Sequence, residues 1–177
     1  QTLAEGARRG GFSHALLAAL VHIESRFDPS AVSGSGAIGL CQIIPQTGRV
    51  IGEKVLSRRV RRKELFDPFV NLTLGAYYFG ELLRHFQDNP ALALAGYNAG
   101  RGAARSWLRM RNDLQLDEFV ELIPYGQTRR YVRRVVAVAD IYHGIYGLGR
   151  EPVLLPSTLP LTLGPYMVTP SHRTMIR

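Results

Sequence analysis

Apolar residues recur at helical spacing in the stretch that follows Ser13: Leu16, Leu17, Leu20 and Val21 make one stripe. At about 100° per residue the stripe continues onto a carboxylate, because Glu24 follows Leu20 by four positions and Val21 by three. The pattern predicts a helix over residues 13–25, with Ser13 as its N-cap and with His14, His22 and Ser25 on the other side. Asp28-Pro29 is the expected stop, since a residue before proline disfavours the helical region. Residues 31–39, with Gly34, Gly36 and Gly39, read as a loop.

The rest of the chain keeps the helical period. A short helix is expected at 45–52, and the charged stretch 53–66 is ambiguous between helix and loop. Asp67-Pro68 and Asn89-Pro90 each pair a capping side chain with a first-turn proline. The first opens a helix to about Phe86 that buries Leu72, Ala76, Phe79, Leu83 and Phe86; the second opens the "ALALAGY" helix. Trp107 and Leu108 belong to another short helix, and 117–122 to a helical turn before Pro124. Gln127 or Thr128 starts a long last helix to about Tyr146, with Val132, Val135, Val136, Ala139 and Tyr142 inward and Arg129, Arg130, Arg133 and Arg134 on or near its outer side. After Leu148 the period stops and prolines multiply, which predicts an extended tail over 148–177. The expectation is a mainly α fold with one domain at residues 1–147.

Length and composition change this picture little. The 177 residues suit one domain, and 46% hydrophobic with 20% charged residues is ordinary for a globular chain. No run approaches the roughly 20 apolar residues that span a bilayer. The basic-then-apolar start resembles a signal peptide, but His22 and Glu24 interrupt it, so the chain is expected to begin after a removed signal or to be part of a longer protein. A formal charge of +8 favours an anionic partner without choosing among nucleic acid, anionic lipid and acidic polymer. The single cysteine, Cys41, excludes an internal disulfide and a multi-cysteine metal site.

Glu24 carries the chemistry. A carboxyl among apolar side chains loses hydration, which raises its pKa and lets it hold a proton near neutral pH. Such a group can protonate a leaving-group oxygen, as glycosidase acids do. The plainer alternative is a helix-end glutamate that reaches solvent. Glycosidases usually use two carboxylates, yet no Asp or Glu lies between Asp28 and Glu53, and Asp28 itself reads better as a turn cap. If Glu24 acts alone, the substrate supplies the second group. HExxH, CxxC and P-loop motifs are absent. Cys41, beside Leu40, Ile43 and Ile44, reads as a packed core thiol, and the arginines at 129–134 as a solvated face rather than a nucleic-acid surface.

Three segments, "ESRFDPSAVSGSGAIGLCQIIPQTG", "LALAGYNAGRGAARSWL" and "FVELIPYGQTRRYVRRVVAVADIYHGIYG", occur in the order found in lytic transglycosylases of the soluble, Slt-like type. The resemblance covers roughly residues 10–147; goose-type lysozymes, which share the wider fold, are the nearest rival. It implies a lysozyme-like, mainly α domain that cleaves peptidoglycan between N-acetylmuramic acid and N-acetylglucosamine, leaving a 1,6-anhydromuramyl end. Carried over by motif, Glu24 is the catalytic acid and then base. Ser25 would help orient the acid or the substrate's acetamido group, Ser33 and Gln42 would line the site, and Tyr97 would stand near the acid. Asn98 would bond the sugar, while Glu121 and Tyr131 would complete the substrate-binding set. Two positions depart from the family pattern. Cys41 stands where methionine is usual, which would alter a saccharide-contacting wall, and Gln127 stands where glutamate often precedes the "TR" pair. The resemblance further implies peptidoglycan glycan strands as the partner, no nucleic acid, no metal, no cofactor, a monomer, and a periplasmic or envelope location. A hydrolytic muramidase and a non-catalytic glycan-binding module stay open as alternatives.

Overall fold

A computed structural model describes residues 2–110 and 114–146; the expected Pro-rich tail at 148–177 lies outside the described residues. The architecture is helical, with no strand among the described residues. α1 (Thr2–Gly10) and α2 (His14–Ser25) come first, then α3 (Pro45–Val55), a 3-10 turn at Arg62–Phe66 and α4 (Pro68–His85). α5 (Pro90–Ala99), α6 (Arg101–Met110), α7 (Leu116–Glu121) and α8 (Gly126–Tyr146) complete it. The expected capping chemistry sets three of these starts. Ser13 Oγ accepts from Leu16 N at 3.2 Å, Asp67 Oδ1 from Val70 N at 2.8 Å, and Asn89 Oδ1 from Leu92 N at 3.1 Å. Each satisfies a backbone donor that the first helical turn leaves unpaired.

α2 is the axis of the domain. Ala15 through Val21 are all buried, so this helix has no solvent face along seven residues. It packs on α1 and α8. α5 is the second buried helix: Ala91 through Ala95 are fully covered, and it touches α4, α6 and α8. A helix apolar all round belongs inside a protein, and short alanine side chains let its neighbours approach closely. The five residues expected to bury on α4 all do, from Leu72 to Phe86. On α8, Val132, Val135 and Ala139 are buried, while Val136 and Tyr142 are half-buried.

Three local features fill out the expectations. α2 stops at Ser25, the expected last residue, because Arg26 turns left-handed (φ 54°) and returns its N–H to His22 O at 2.9 Å. Asp28 then makes an Asx turn, accepting from Ser30 N at 2.8 Å and Ser30 Oγ at 2.6 Å. The charged stretch after residue 53 finishes α3 and then forms the 3-10 turn. α1, which the apolar pattern did not announce, lies against α4 and α2.

The segment between α2 and α3 has no regular structure, yet most of its buried backbone groups are paired. Ile38 and Ile43 exchange two hydrogen bonds, at 3.1 and 3.0 Å. Asn71, 0% exposed on α4, ties the rest: its Nδ2 donates to Ile38 O at 2.8 Å and Leu65 O at 2.7 Å, while its Oδ1 accepts from Cys41 N at 2.7 Å. Gly39 makes room for this knot, having φ 75° and a space where an added Cβ would meet Asn71 Nδ2 at 2.4 Å. Removing the Asn71 amide strands the Leu65 carbonyl and the Cys41 N–H in the interior, each costing on the order of 1–3 kcal/mol, and takes one of two donors from the Ile38 carbonyl. Asn71→Ala is therefore expected to lower the unfolding free energy by about 3 kcal/mol or more, read from urea midpoints at unchanged m-value.

Candidate active site

Glu24 sits on the last turn of α2, where the buried stripe meets α8. Tyr131 on α8 donates its hydroxyl to Glu24 Oε1 at 2.6 Å. Among the described residues no donor is placed on Oε2, so a proton on Glu24 belongs there. The carboxyl is partly accessible, yet protein crowds it on most sides. Loss of hydration dominates and lifts its pKa to about 7; the Tyr131 hydrogen bond, which favours the charged form, pulls the other way and loses. Burial holds the Tyr131 and Tyr97 phenols well above their usual range, followed by the charge of Glu24 for Tyr131 and by Cys41 and then Glu24 for Tyr97.

The 38–43 segment forms the wall beside the acid, and side chains from four elements pin its backbone. Ser25, next to the acid, donates to Leu40 O at 2.9 Å and to Val21 O at 3.2 Å, so its hydroxyl proton holds the loop against the end of α2 rather than reaching the acid. Tyr97 on α5 donates to Cys41 O at 2.7 Å. Gln42, left-handed at φ 49°, turns its Nε2 back onto Gly39 O (3.0 Å) and Ala31 O (3.2 Å), which commits its donors and keeps Oε1 as an acceptor. A non-glycine residue held there is strained, and such strain concentrates at binding sites. Asn71 supplies the fourth tie.

Asn98 and Ser33 stand further out. Asn98 Oδ1 accepts from Thr128 Oγ1 at 2.8 Å, one turn before Tyr131 on α8, which leaves its amide nitrogen to donate. Ser33 closes the outer turn of the loop: its Oγ accepts from Ala37 N at 3.0 Å and lies 2.9 Å from Ser35 Oγ. Glu121, exposed at the end of α7, pairs with Arg133 of α8 at 3.3 Å. It lines a groove of about 1160 Å³ between α7 and α8, with Leu116, Val120, Val132 and Val136. None of the residues bonded to Glu24 or to the 38–43 segment lines that groove, so the chemistry is placed at Glu24 and not there.

The structure thus gathers Glu24, Ser25, Gln42, Tyr97 and Tyr131 from one loop and three helices, links Asn98 through α8, and brings Ser33 and Glu121 to Glu24 by no described bond. Of the two tyrosines, Tyr131 holds the acid and Tyr97 holds the wall. Cys41 is fully buried, its sulfur lying where an added Cβ on Gly75 would stand only 2.4 Å away. Its side chain is therefore core, which corrects the expectation of a saccharide-contacting wall at this position; burial and the charge of Glu24 push its thiol pKa far up. Arg129 has no need of a carboxylate at 127, since its guanidinium donates to Glu121 O and Ile123 O at the end of α7. Asn71 and Thr128 are the residues sequence reasoning missed. Asn71 had a visible signal, a polar side chain in the buried register of α4 with Gly75, Phe79, Leu82 and Phe86.

Comparison with known proteins identifies relatives of the chain. The model of the Transglycosylase SLT domain family matches residues 1–120. The soluble lytic murein transglycosylase of Escherichia coli is 33% identical over 142 residues, 79% of this chain and 22% of that protein. The membrane-bound lytic murein transglycosylase D of the same organism is 32% identical over 137 residues, 77% of this chain and 29% of its own length. The crystal structure of an inactive glutamate-to-glutamine mutant of lytic transglycosylase Slt from Pseudomonas aeruginosa superposes with a TM-score of 0.80 at 35% identity, covering 86% of this chain and 25% of that one. The chain spans about a quarter or less of the soluble relatives it matches.

The raised pKa fixes a sign for stability. Folded Glu24 binds its proton more tightly than the unfolded chain does, so between pH 4.5 and about 7 the native state carries the extra proton and stability falls as pH rises. Glu24→Gln removes the cost of ionising a crowded carboxyl. At pH 8 it is expected to be more stable than the parent by about 2 kcal/mol, a figure reduced for the accessible side of the group, with the difference vanishing near pH 4. Denaturant titrations at the two pH values check it; a parent as stable at pH 8 as the glutamine form would contradict the burial of this carboxyl.

Proposed function

The chain belongs to the Transglycosylase SLT domain family, and from that premise we propose that it is a peptidoglycan lytic transglycosylase whose single catalytic carboxyl is Glu24. The reading assigns the reaction to the β-1,4 bond between N-acetylmuramic acid and N-acetylglucosamine. Protonated Oε2 of Glu24 gives its proton to the glycosidic oxygen as the bond to C1 breaks. The muramyl acetamido oxygen stabilises the positive charge left at C1. The C6 hydroxyl then attacks C1 and returns its proton to ionised Glu24, which closes a 1,6-anhydro ring, consumes no water and restores the acid.

One observation carries this assignment: the crowded carboxyl with a pKa near 7 has a phenol as its described partner and no second carboxylate bonded to it. An acid balanced near neutrality transfers a proton in either direction at little cost. Tyr131 donates to whichever charge state is present and is most valuable to the ionised one, so it is assigned to positioning the acid and stabilising it after the first step. The Asn98 amide and Gln42 Oε1 are assigned to the sugars, while Ser25 and Tyr97 act through the wall they hold. Ser33 and Glu121 are kept as outer substrate contacts on motif grounds alone. The catalytic unit is read as residues 1–147, with 148–177 as an extended tail. The reading needs no metal, no cofactor and no second copy of the chain, and it suits a periplasmic or envelope enzyme acting on the wall.

Mass spectrometry of digested sacculi tests it. Products are expected to carry anhydromuramyl ends, lighter by a water molecule than hydrolysed ones, and Glu24→Gln is expected to abolish their release while the protein stays folded. Reducing muramyl ends in place of anhydro ends would replace this reading with a hydrolytic muramidase. Turnover above pH 7 is expected to fall as Glu24 loses its proton, about tenfold for each pH unit beyond that pKa.

A further inference from the structure

Between α3 and the 3-10 turn runs "SRRVRRK", residues 57–63, with five cations in seven positions. The segment is built rather than loose. Val60 is 5% exposed and plugs onto Gly52 of α3. Ser57 takes a left-handed turn at φ 52°. Glu64 gathers the strap about itself, accepting from Arg58 NH1 at 2.6 Å, Arg61 N at 3.0 Å and Arg61 Nε at 3.0 Å. These donors hold the Glu64 carboxyl down to about 2, so the clamp stays charged at any working pH. Arg59 pairs with Glu53 at 2.9 Å and is still 78% exposed; Arg61 is 71% exposed, and Arg62 and Lys63 face solvent. Five cations therefore answer to two carboxylates, and the surplus points outward from a fixed backbone.

The position of the strap matters as much as its charge. Leu65 O, two residues beyond Lys63, accepts from Asn71 Nδ2, and the same Asn71 side chain bonds Ile38 O and Cys41 N. The cationic segment is thus tied through Asn71 to the same loop that Ser25, next to Glu24, holds. We propose that Ser57–Lys63 is a docking surface for the carboxylates of the peptidoglycan strand, those of its lactyl groups and stem peptides, which seats the wall polymer beside the Glu24 site. This rests on the function proposed above, since that is what makes the polymer anionic and long. Arginine forks suit carboxylates bidentately, and a strap held in place loses less entropy on binding than free side chains would.

The test uses the full chain in a Glu24→Gln background, so that sacculi are bound and not cut. Arg59→Glu, Arg62→Glu and Lys63→Glu are combined; none of them touches Glu64, the clamp of the strap. Co-sedimentation with purified sacculi at low salt is expected to weaken about tenfold, and the difference is expected to close near 1 M salt, where screening shortens to about 3 Å. On sacculi whose carboxyls are converted to methylamides with a carbodiimide, parent and triple variant should bind alike. Equal binding of the two to native sacculi at low salt, undiminished preference of the parent for methylamidated sacculi, or a loss confined to vesicles of anionic phospholipid would each overturn the proposal. With Glu24 restored, the triple variant should still release anhydro products from small soluble tetrasaccharide-peptides, which contain one muramyl-to-glucosaminyl bond of the kind cleaved. Absence of those products from parent and variant alike would count against the proposed reaction, whereas the sedimentation results judge the docking surface on their own.

Discussion

A carboxyl group keeps its proton at neutral pH only if ionising it costs more than water would ask, and the fold is arranged to impose that cost at one atom pair. Glu24 ends a helix that has no solvent face for most of its length, so its side chain emerges among apolar neighbours before it meets solvent. Desolvation raises the pKa while the Tyr131 hydroxyl restrains the rise. Without the second effect the proton would be held too tightly to give, and without the first there would be none to give. The packing of α2 against α8 fixes both at once, because it brings together residues 107 positions apart in sequence.

The wall beside the acid obeys a related constraint. An irregular segment that is buried must still pair its backbone groups, and here side chains do the pairing from outside the loop. Asn71 from α4, Tyr97 from α5, Ser25 from α2 and Gln42 from the loop itself each bond backbone of residues 31–41. Several polar residues of the motifs therefore spend their hydrogen bonds on protein. What they leave over is specific: an acceptor on Gln42, donors on Asn98, and the open oxygen of Glu24. The wall is rigid because its polar groups are satisfied, and the site stays selective because few are left unsatisfied.

Much of this was legible in the sequence, and the parts that were not share a physical reason. Ser13, Asp67 and Asn89 announced helix starts because capping is settled within four residues. The Leu16–Val21 stripe announced the burial of Glu24 because period alone places a residue on a face. The end of α2 at residue 25 was legible too, but the left-handed Arg26 that closes it was not, since no local rule demands that of an arginine. For Cys41 two readings differed: its apolar neighbours marked a packed core thiol, which it is, while the motif comparison pointed to a saccharide-contacting wall, which the seat opposite Gly75 excludes. Which tyrosine would hold the acid depended on how α8 crosses α2, and no spacing within one segment carries that angle. Asn71 was overlooked as a polar interruption of an apolar face, though such an interruption demands partners, and here the loop supplies two and the 3-10 turn the third.

A single group serving as acid and then base faces a requirement that a pair of carboxylates can divide between them. It must be protonated before bond cleavage and ionised after it, at one pH and without leaving the site. Asp28, exposed and lowered by its Ser30 contacts, could serve only as a base. A carboxyl buried without a donor would serve only as an acid. The Tyr131 hydroxyl resolves this because its hydrogen bond strengthens when Glu24 becomes an anion, so part of the ionisation cost is recovered as the proton leaves. In the proposed reaction that recovery is largest while the carboxylate waits for the attacking hydroxyl. The phenol cannot take over as the acid itself, since its own pKa is held well above the usual range by burial and by the adjacent charge. The proposed reaction thereby confines proton traffic to Oε2 of Glu24.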